Sequence, residues 1–301
     1  MKTYRIFQVD AFTRERFAGN PAGVVVNADG LSEAQMQAMA RELNNAETAF
    51  VLSPTASDHD VWIRFFTPTT EVPSCGHATI AAHYVRAIEN ELGLCTVRQR
   101  IGIGILPVDI VKEASDYRVI MTQGAFELSP EIVDNTRNDI LQALGLSDAD
   151  LEDRCPLQIA STGHSKVMIG IKSIETLHAL KPDMTRLAAI STSMVDCNGY
   201  FVFAFGFEGD DVLTHGRMFA PAIGIPEDPV TGNANGPLGG YLVHHGILEA
   251  EDGVVTFKGK QGETIGRPGI VTVSVHVKHG KPTKVQVGGD ATIAFKTEIT
   301  L

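Results

Sequence analysis

Glu47 stands where a polar loop meets an apolar strand, in the run NNAETAFV, with Ala46, Ala49 and Phe50 beside it. A lone glutamate before a strand is ordinarily a solvated surface group. Partly desolvated, however, its carboxyl would have a raised pKa suited to taking up and returning protons. Cys75 comes just before Gly76 and His77, at the opening of an Ala-rich helix. A thiol there sits in the field of a helix N-terminus, which lowers its pKa and makes a thiolate base conceivable; packing under the loop is the plainer use. His77 could orient a substrate, donate a proton or simply cap the helix. Asp228, in EDPVTGN, could hold a protonated substrate group, although Asp before Pro also makes turns. The backbone counts as well. A glycine at a helix mouth leaves N–H groups without intrahelical partners, with the positive end of the helix dipole behind them. Gly76 and Ala78, and again Gly232, Asn233 and Ala234 after Thr231, could therefore bind a carboxylate.

These residues lie in two matching stretches. RFFTP at 64–68 matches RMFAP at 217–221, and GHA at 76–78 matches GNA at 232–234. The glycine falls eight residues after its proline in the first copy (68 to 76) and eleven after it in the second (221 to 232). Two such turns in register point to a duplicated fold with a site between the copies. In this alignment Cys75 corresponds to Thr231, and Glu47 to Asn198, which cannot exchange protons. A repeat of about half the chain is a duplication, not a solenoid built from units of roughly 20–50 residues.

The surrounding elements follow from periodicity and punctuation. Residues 4–11, 49–52 and 61–66 read as strands, and GNPAG at 19–23 as a loop leading into the apolar run 24–26. Residues 31–43 form a helix capped by Ser32, with Met36, Met39, Ala40 and Leu43 on one face. A strand is expected over 115–122 after a turn at 113–116, and a helix over 129–144, opened by Ser129-Pro130 and closed by Gly145. The second half replays the first: a strand at 157–160, GHSKVMI at 163–169 where 19–25 stood, a helix from Asp183 and a strand over 200–205. Strands at 270–277 and 284–295 close the chain. The expected lobes are 1–127, joined by the C-terminal strand 286–301, and 128–285, with 125–155 as crossover and hinge.

Bulk properties narrow the function. The 301 residues are 44% hydrophobic and 20% charged, a soluble globular profile with room for two cores. A net charge of −11 disfavours nucleic acid and anionic membranes as partners, while small anions remain accessible to helix N-termini. No run approaches the roughly 20 apolar residues of a membrane span. The four cysteines form no CxxC pair, so free thiols and a cytoplasmic location are expected. His77 and His83 lie six apart and share no helix face, so no metal is expected. No GxxxxGK[ST], GxSxG or HExxH motif is present, and no GxGxxG stands between a strand and a helix, so no nucleotide cofactor is expected.

VDAF and GNPAGV near the start, NNAETAFV, FFTP…EVPSCGHATIAA and FAPAIGIPEDPVTGNANGPLG together resemble the phenazine-biosynthesis-like (PhzF-like) isomerase family, and within it the uncharacterised enterobacterial members. More broadly the chain resembles diaminopimelate epimerase and the proline racemases. The resemblance spans nearly the whole length. It implies an α+β fold of two pseudo-symmetric lobes, each a curved, mostly antiparallel sheet around a central helix, with the active site in the cleft between them. It carries the catalytic glutamate onto Glu47 and the supporting histidine and aspartate onto His77 and Asp228. Substrate contacts fall on Cys75, Gly76, Ala78, Thr231, Gly232, Asn233 and Ala234. Two departures matter. Asn233 replaces the serine of the phenazine enzyme and alters the pocket wall, and Thr231 replaces the second cysteine of the racemases. The expected activity is cofactor-independent proton movement within a small carboxylate substrate, by a homodimer. A racemase or epimerase using Cys75, and a non-enzymatic small-acid-binding protein, are the alternatives.

Overall fold

The computed structural model describes residues 1–114 and 116–301. They divide into two compact units, Met1–Thr122 with Gly288–Leu301, and Gln123–Val287.

The first unit contains β1 (Thr3–Ala11), β2 (Asn20–Val25), α1 (Glu33–Leu43), β3 (Thr48–Leu52), β4 (Val61–Phe66), β5 (Glu71–Val72), α2 (Gly76–Glu89), β6 (Cys95–Ile101), β7 (Gly104–Glu113) and β8 (Asp116–Thr122). β1 pairs antiparallel with β2, β3 with β4, β6 with β7 and β7 with β8. The parallel pairs are β2–β3 and β4–β6, the two joined across a helix, as parallel strands require. Ser32 caps α1 in a reciprocal capping box with Gln35, and Met36, Met39 and Ala40 are its buried face. α2 is the core. Its residues His77 to Val85 are all buried, and it packs against β1, β2, β3, β7 and β8. A helix apolar on all sides is stable only inside such a wrap.

The second unit contains β9 (Glu127–Glu131), α3 (Asp134–Leu144), β10 (Gln158–Ser161), β11 (Lys166–Ile171), α4 (Ile174–Ala179), α5 (Met184–Ser193), β12 (Tyr200–Phe205), β13 (Thr214–Ala220), β14 (Ile225–Asp228), α6 (Gly232–His244), β15 (Gly253–Gln261), β16 (Gly269–Lys278) and β17 (Lys281–Gly289), whose end crosses the boundary. β18 (Ala291–Thr300) returns to the first unit and pairs antiparallel with β1. The topology repeats: β10–β11 antiparallel, β11–β12 parallel, β12–β13 antiparallel, β13–β15 parallel, β15–β16 antiparallel. The fold is thus two pseudo-symmetric α+β lobes, each with a sheet around a helix.

α6 is the second central helix and lies so close to its surroundings that glycine is required. A Cβ on Gly240 would stand 2.3 Å from the Phe126 ring, and one on Gly239 2.7 Å from Val273. Gly240→Ala is therefore expected to destabilise the protein by about 1–3 kcal/mol, measured by urea unfolding, because the ring has to leave its seat.

Several expectations are corrected. GNPAG is not a loop. Asn20–Gly23 already belong to β2, and Pro21 is accommodated because β3 joins only from Gly23. Ser129-Pro130 opens no helix; it lies in β9, where the Ser129 hydroxyl accepts the Ile159 N–H, and α3 begins at Asp134. The tail expected as one strand over 284–295 is broken at Asp290 between β17 and β18. Residues 125–155 are built into the second unit, where β9 pairs with β10 and Leu151 bridges to Ile171; the chain passes between the units at 122–123 and 287–288 instead. Ser115, where a strand was expected to start, lies outside the described residues. No helix among the described residues is long and apolar enough to cross a membrane.

Candidate active site

In the first unit three of the expected residues come together. α1 ends at Asn44 in the left-handed conformation, and the next residue, Asn45, is fixed by a two-way amide pair with Gln8 (2.7 and 2.9 Å). The Gly23 N–H donates to the Glu47 carbonyl, so the loop delivers Glu47 to the head of β3 in one defined pose. Its side chain is only 15% exposed and lies 3.3 Å from His77 Nε2. Burial raises the carboxyl pKa above its ordinary value, while a hydrogen bond from Cys75 pulls it partly back. The Cys75 sulfur lies 3.5 Å from His77 Nδ1.

Cys75 is the N-cap of α2 but makes no side-chain cap bond, and the first turn carries no acidic residue. The N–H groups of Gly76 and Ala78 thus open the helix beside the thiol, and the dipole there favours an anion. Donor atoms of Glu47, Cys75 and His77 lie within 4.8 Å of one another, close enough to share a metal ion. His83 belongs to no such cluster. It is fully buried, bonded to Gln99 Oε1 at 2.7 Å, and its pKa is driven down to about 3 by burial and by Arg86.

In the second unit Asp228 ends β14, and the Thr231 hydroxyl donates to its carboxylate. Thr231 is the N-cap of α6, with Gly232, Asn233 and Ala234 in the first turn. The Asn233 side chain is not loose: its Oδ1 accepts from Gln123 Nε2 at 3.0 Å, and the same amide reaches the Gly232 carbonyl. Gln123 in turn accepts from the Thr162 hydroxyl.

Strand register corrects one pairing. Thr48 lies opposite Phe66, and Tyr200 opposite Phe219, at equivalent places in the two repeats. The Gly23 N–H reaches Glu47 O, and the Val167 N–H reaches Gly199 O. The counterpart of Glu47 is thus Gly199, not Asn198. A side chain there is excluded, since a Cβ would stand 2.7 Å from both Met218 Cε and the Phe219 carbonyl. Asn198 instead donates to Ser165 Oγ, and both line an open cavity of about 580 Å³ within the second unit. The register also locates the three extra residues of the second copy. Glu71 pairs with Arg64 and Glu227 with Arg217, each five residues before its glycine, so the surplus lies before Glu227, at the short 3-10 turn Pro221–Ile223.

Two further residues escaped the sequence reading. Gln261, 1% exposed at the end of β15, donates to the Asp228 carbonyl and the Thr231 hydroxyl. Its own carbonyl oxygen accepts from the Thr231 N–H and from Asn235. It holds the turn from Asp228 to the start of α6. Lys166, 4% exposed, donates to the Ser165 carbonyl. Burial lowers its pKa to about 8 despite the charge of Asp228 nearby. A lysine opening an otherwise apolar strand was the available signal for Lys166; Gln261 in KGKQG had none.

Comparison with known proteins agrees along the whole chain. The family model for phenazine biosynthesis-like proteins (PhzC-PhzF) matches residues 9–297. An uncharacterized isomerase of Clostridium acetobutylicum is 54% identical over 100% of this chain and 99% of its own. The uncharacterized isomerase YddE of Escherichia coli K12 is 50% identical, covering 98% and 97%. The trans-2,3-dihydro-3-hydroxyanthranilate isomerase of Pseudomonas chlororaphis is 32% identical, covering 97% and 98%. Among solved structures, a Bacillus anthracis phenazine biosynthesis protein of the PhzF family superposes with a TM-score of 0.88 at 29% identity, with 100% of both chains covered.

Proposed function

The chain belongs to the phenazine biosynthesis-like family of isomerases, and we propose that it moves a proton within a small carboxylate-bearing substrate, with Glu47 taking and returning it. The observation that carries this reading is a buried carboxyl with a raised pKa, hydrogen-bonded by a thiol and 3.3 Å from an imidazole. A carboxyl of this kind can remove a proton from a carbon made acidic by conjugation or an adjacent carbonyl. Once protonated it can deliver that proton to another carbon of the delocalised anion, so the reaction closes without a cofactor. His77 orients the carboxyl, and the N–H groups of Gly76 and Ala78 steady the developing negative charge. A backbone donor so placed contributes up to roughly 3 kcal/mol to the transition state. On the second unit we assign Asp228 and the helix start at Gly232–Ala234 to substrate holding.

A two-thiol racemisation is disfavoured because the counterpart of Cys75 is Thr231, whose hydroxyl is engaged by Asp228. Cys75→Ala is accordingly expected to slow turnover by far less than the roughly 10²-fold that loss of an acid–base group costs. The assay uses trans-2,3-dihydro-3-hydroxyanthranilate, the compound named for the Pseudomonas relative, beside a panel of small unsaturated carboxylates. Complete loss in Cys75→Ala, with substrate protecting the parent against a thiol reagent, would move the base from Glu47 to Cys75. Binding without turnover of any panel member that raises the melting temperature would favour a small-acid-binding protein.

A further inference from the structure

Away from these residues, the second unit brings two imidazoles and two carboxylates together. His215 on β13 is 5% exposed; its Nδ1 lies 2.7 Å from Glu263 Oε2 and its Nε2 2.8 Å from Asp210 Oδ2. His178, in the last turn of α4, places Nε2 3.4 Å from the same Glu263 oxygen. The donor atoms of His178, His215 and Glu263 all lie within 4.8 Å of one another. We propose that these three residues bind a divalent transition-metal ion, with Zn²⁺ the natural occupant of a set of two nitrogens and one carboxylate oxygen.

The outer shell distinguishes this arrangement from an ordinary cluster of ion pairs. An imidazole that ligates a metal almost always gives its second nitrogen to a carboxylate or carbonyl, and a ligating carboxylate is itself held by a further hydrogen bond. Both supports are present. Asp210 takes His215 Nε2, leaving Nδ1 for the ion, and Lys260 Nζ lies 2.8 Å from Glu263 Oε1, leaving Oε2 for it. Two carboxylates against one ammonium also leave net negative charge for a dication to neutralise. Ligands 2.0–2.2 Å from zinc in a tetrahedral set stand about 3.3–3.6 Å apart. The His178 contact already meets that spacing, and the buried His215 contact opens by less than 1 Å. The His178 side chain is 38% exposed, so the ion enters from its side and a water completes the set.

The ion joins three separate stretches of chain, α4, β13 and the 3-10 turn Glu263–Ile265. That turn is tied onward: the Thr264 hydroxyl donates to Glu227, the neighbour of Asp228. Metal occupancy therefore braces the segment that carries Asp228.

The test uses full-length protein stripped with a chelator and then titrated with Zn²⁺ alone. Cys75→Ser is the reference, so that the Glu47–Cys75–His77 cluster does not contribute. Calorimetry should give one ion per chain, the melting temperature should rise until one equivalent is reached, and X-ray absorption should show nitrogen and oxygen ligands at about 2.0–2.1 Å. Adding His178→Ala or Glu263→Gln should abolish this binding, and Asp210→Asn should weaken it about 10–100-fold. His178 lies at the surface, so His178→Ala decides the matter should Glu263→Gln fail to fold. No zinc bound in the reference, or zinc bound equally well after His178→Ala, would overturn the proposal and leave an ion-pair cluster.

Discussion

Glu47→Gln is expected to lower turnover by about 10²–10⁴-fold while leaving the fold intact, because the amide fills the same space but cannot carry a proton. Its effect on stability should have the opposite sign. Burial holds the Glu47 carboxyl above its ordinary 4.5, so the folded protein binds this proton more tightly than the unfolded chain does. The resulting stabilisation is full below that value and is lost as pH rises through the raised one. Glutamine has nothing to ionise, so the variant should gain on the parent in urea melts as pH climbs through this window, and match its pH dependence elsewhere. In the parent, turnover should rise over the same window as the carboxylate form becomes populated. A variant that gained no stability with pH would mean that Glu47 is not the buried, perturbed group described here.

Arg217→Met should produce the largest loss of stability. Its guanidinium makes a two-point pair with Glu227 (3.0 and 2.8 Å) and also donates to the Leu177 and Leu180 carbonyls, with the two side chains 9% and 12% exposed. Methionine leaves a carboxylate and two carbonyls without that partner, a break that costs about 3–5 kcal/mol when the pair is buried. The repeat supplies an internal control. Arg64 pairs with Glu71 in the same way, but Glu71 is 38% exposed and water can take over, so Arg64→Met should cost less. Equal losses in urea unfolding would show that burial is not what separates the two copies. The double change Arg217→Met with Glu227→Leu should recover part of the loss, since no buried charge is then stranded.

That pair of arginines also explains why the duplication was legible in the sequence. Arg, Pro and Gly have local duties that fix their positions: an ion pair, a strand end and a helix mouth. The intervals from arginine to proline and from the paired glutamate to glycine are the same in both copies. The surplus of the second copy is confined to the stretch between proline and glutamate. Glu47, Cys75 and His77 were each legible as candidates, since the loop ahead of β3 and the mouth of α2 are both announced by polar residues, but only the family resemblance placed them in one site. What failed depended on partners distant in sequence. GNPAG has the composition of a turn, yet β1 recruits it into a sheet. Ser129-Pro130 has the signature of a helix start, yet the Ser129 hydroxyl serves a neighbouring strand. Glu47 was matched to Asn198 instead of Gly199 because an offset of one residue is invisible until strands are paired. Gln261 was silent because a buried amide is recognised only from what it holds.

If one carboxyl, that of Glu47, exchanges the proton that moves, as proposed, isotope from the solvent reports it. In D₂O, with a carboxylate that the parent isomerises, mass spectrometry or NMR reads deuterium entering the carbon that receives the proton and, at equilibrium, the carbon that loses it. Because the protonated Glu47 carboxyl exchanges with solvent in a fraction of turnovers before it returns the proton, deuterium should enter both positions with the parent and with Cys75→Ala, and essentially neither with Glu47→Gln over the same interval. Deuterium entering as fast with Glu47→Gln as with the parent would remove Glu47 from the reaction.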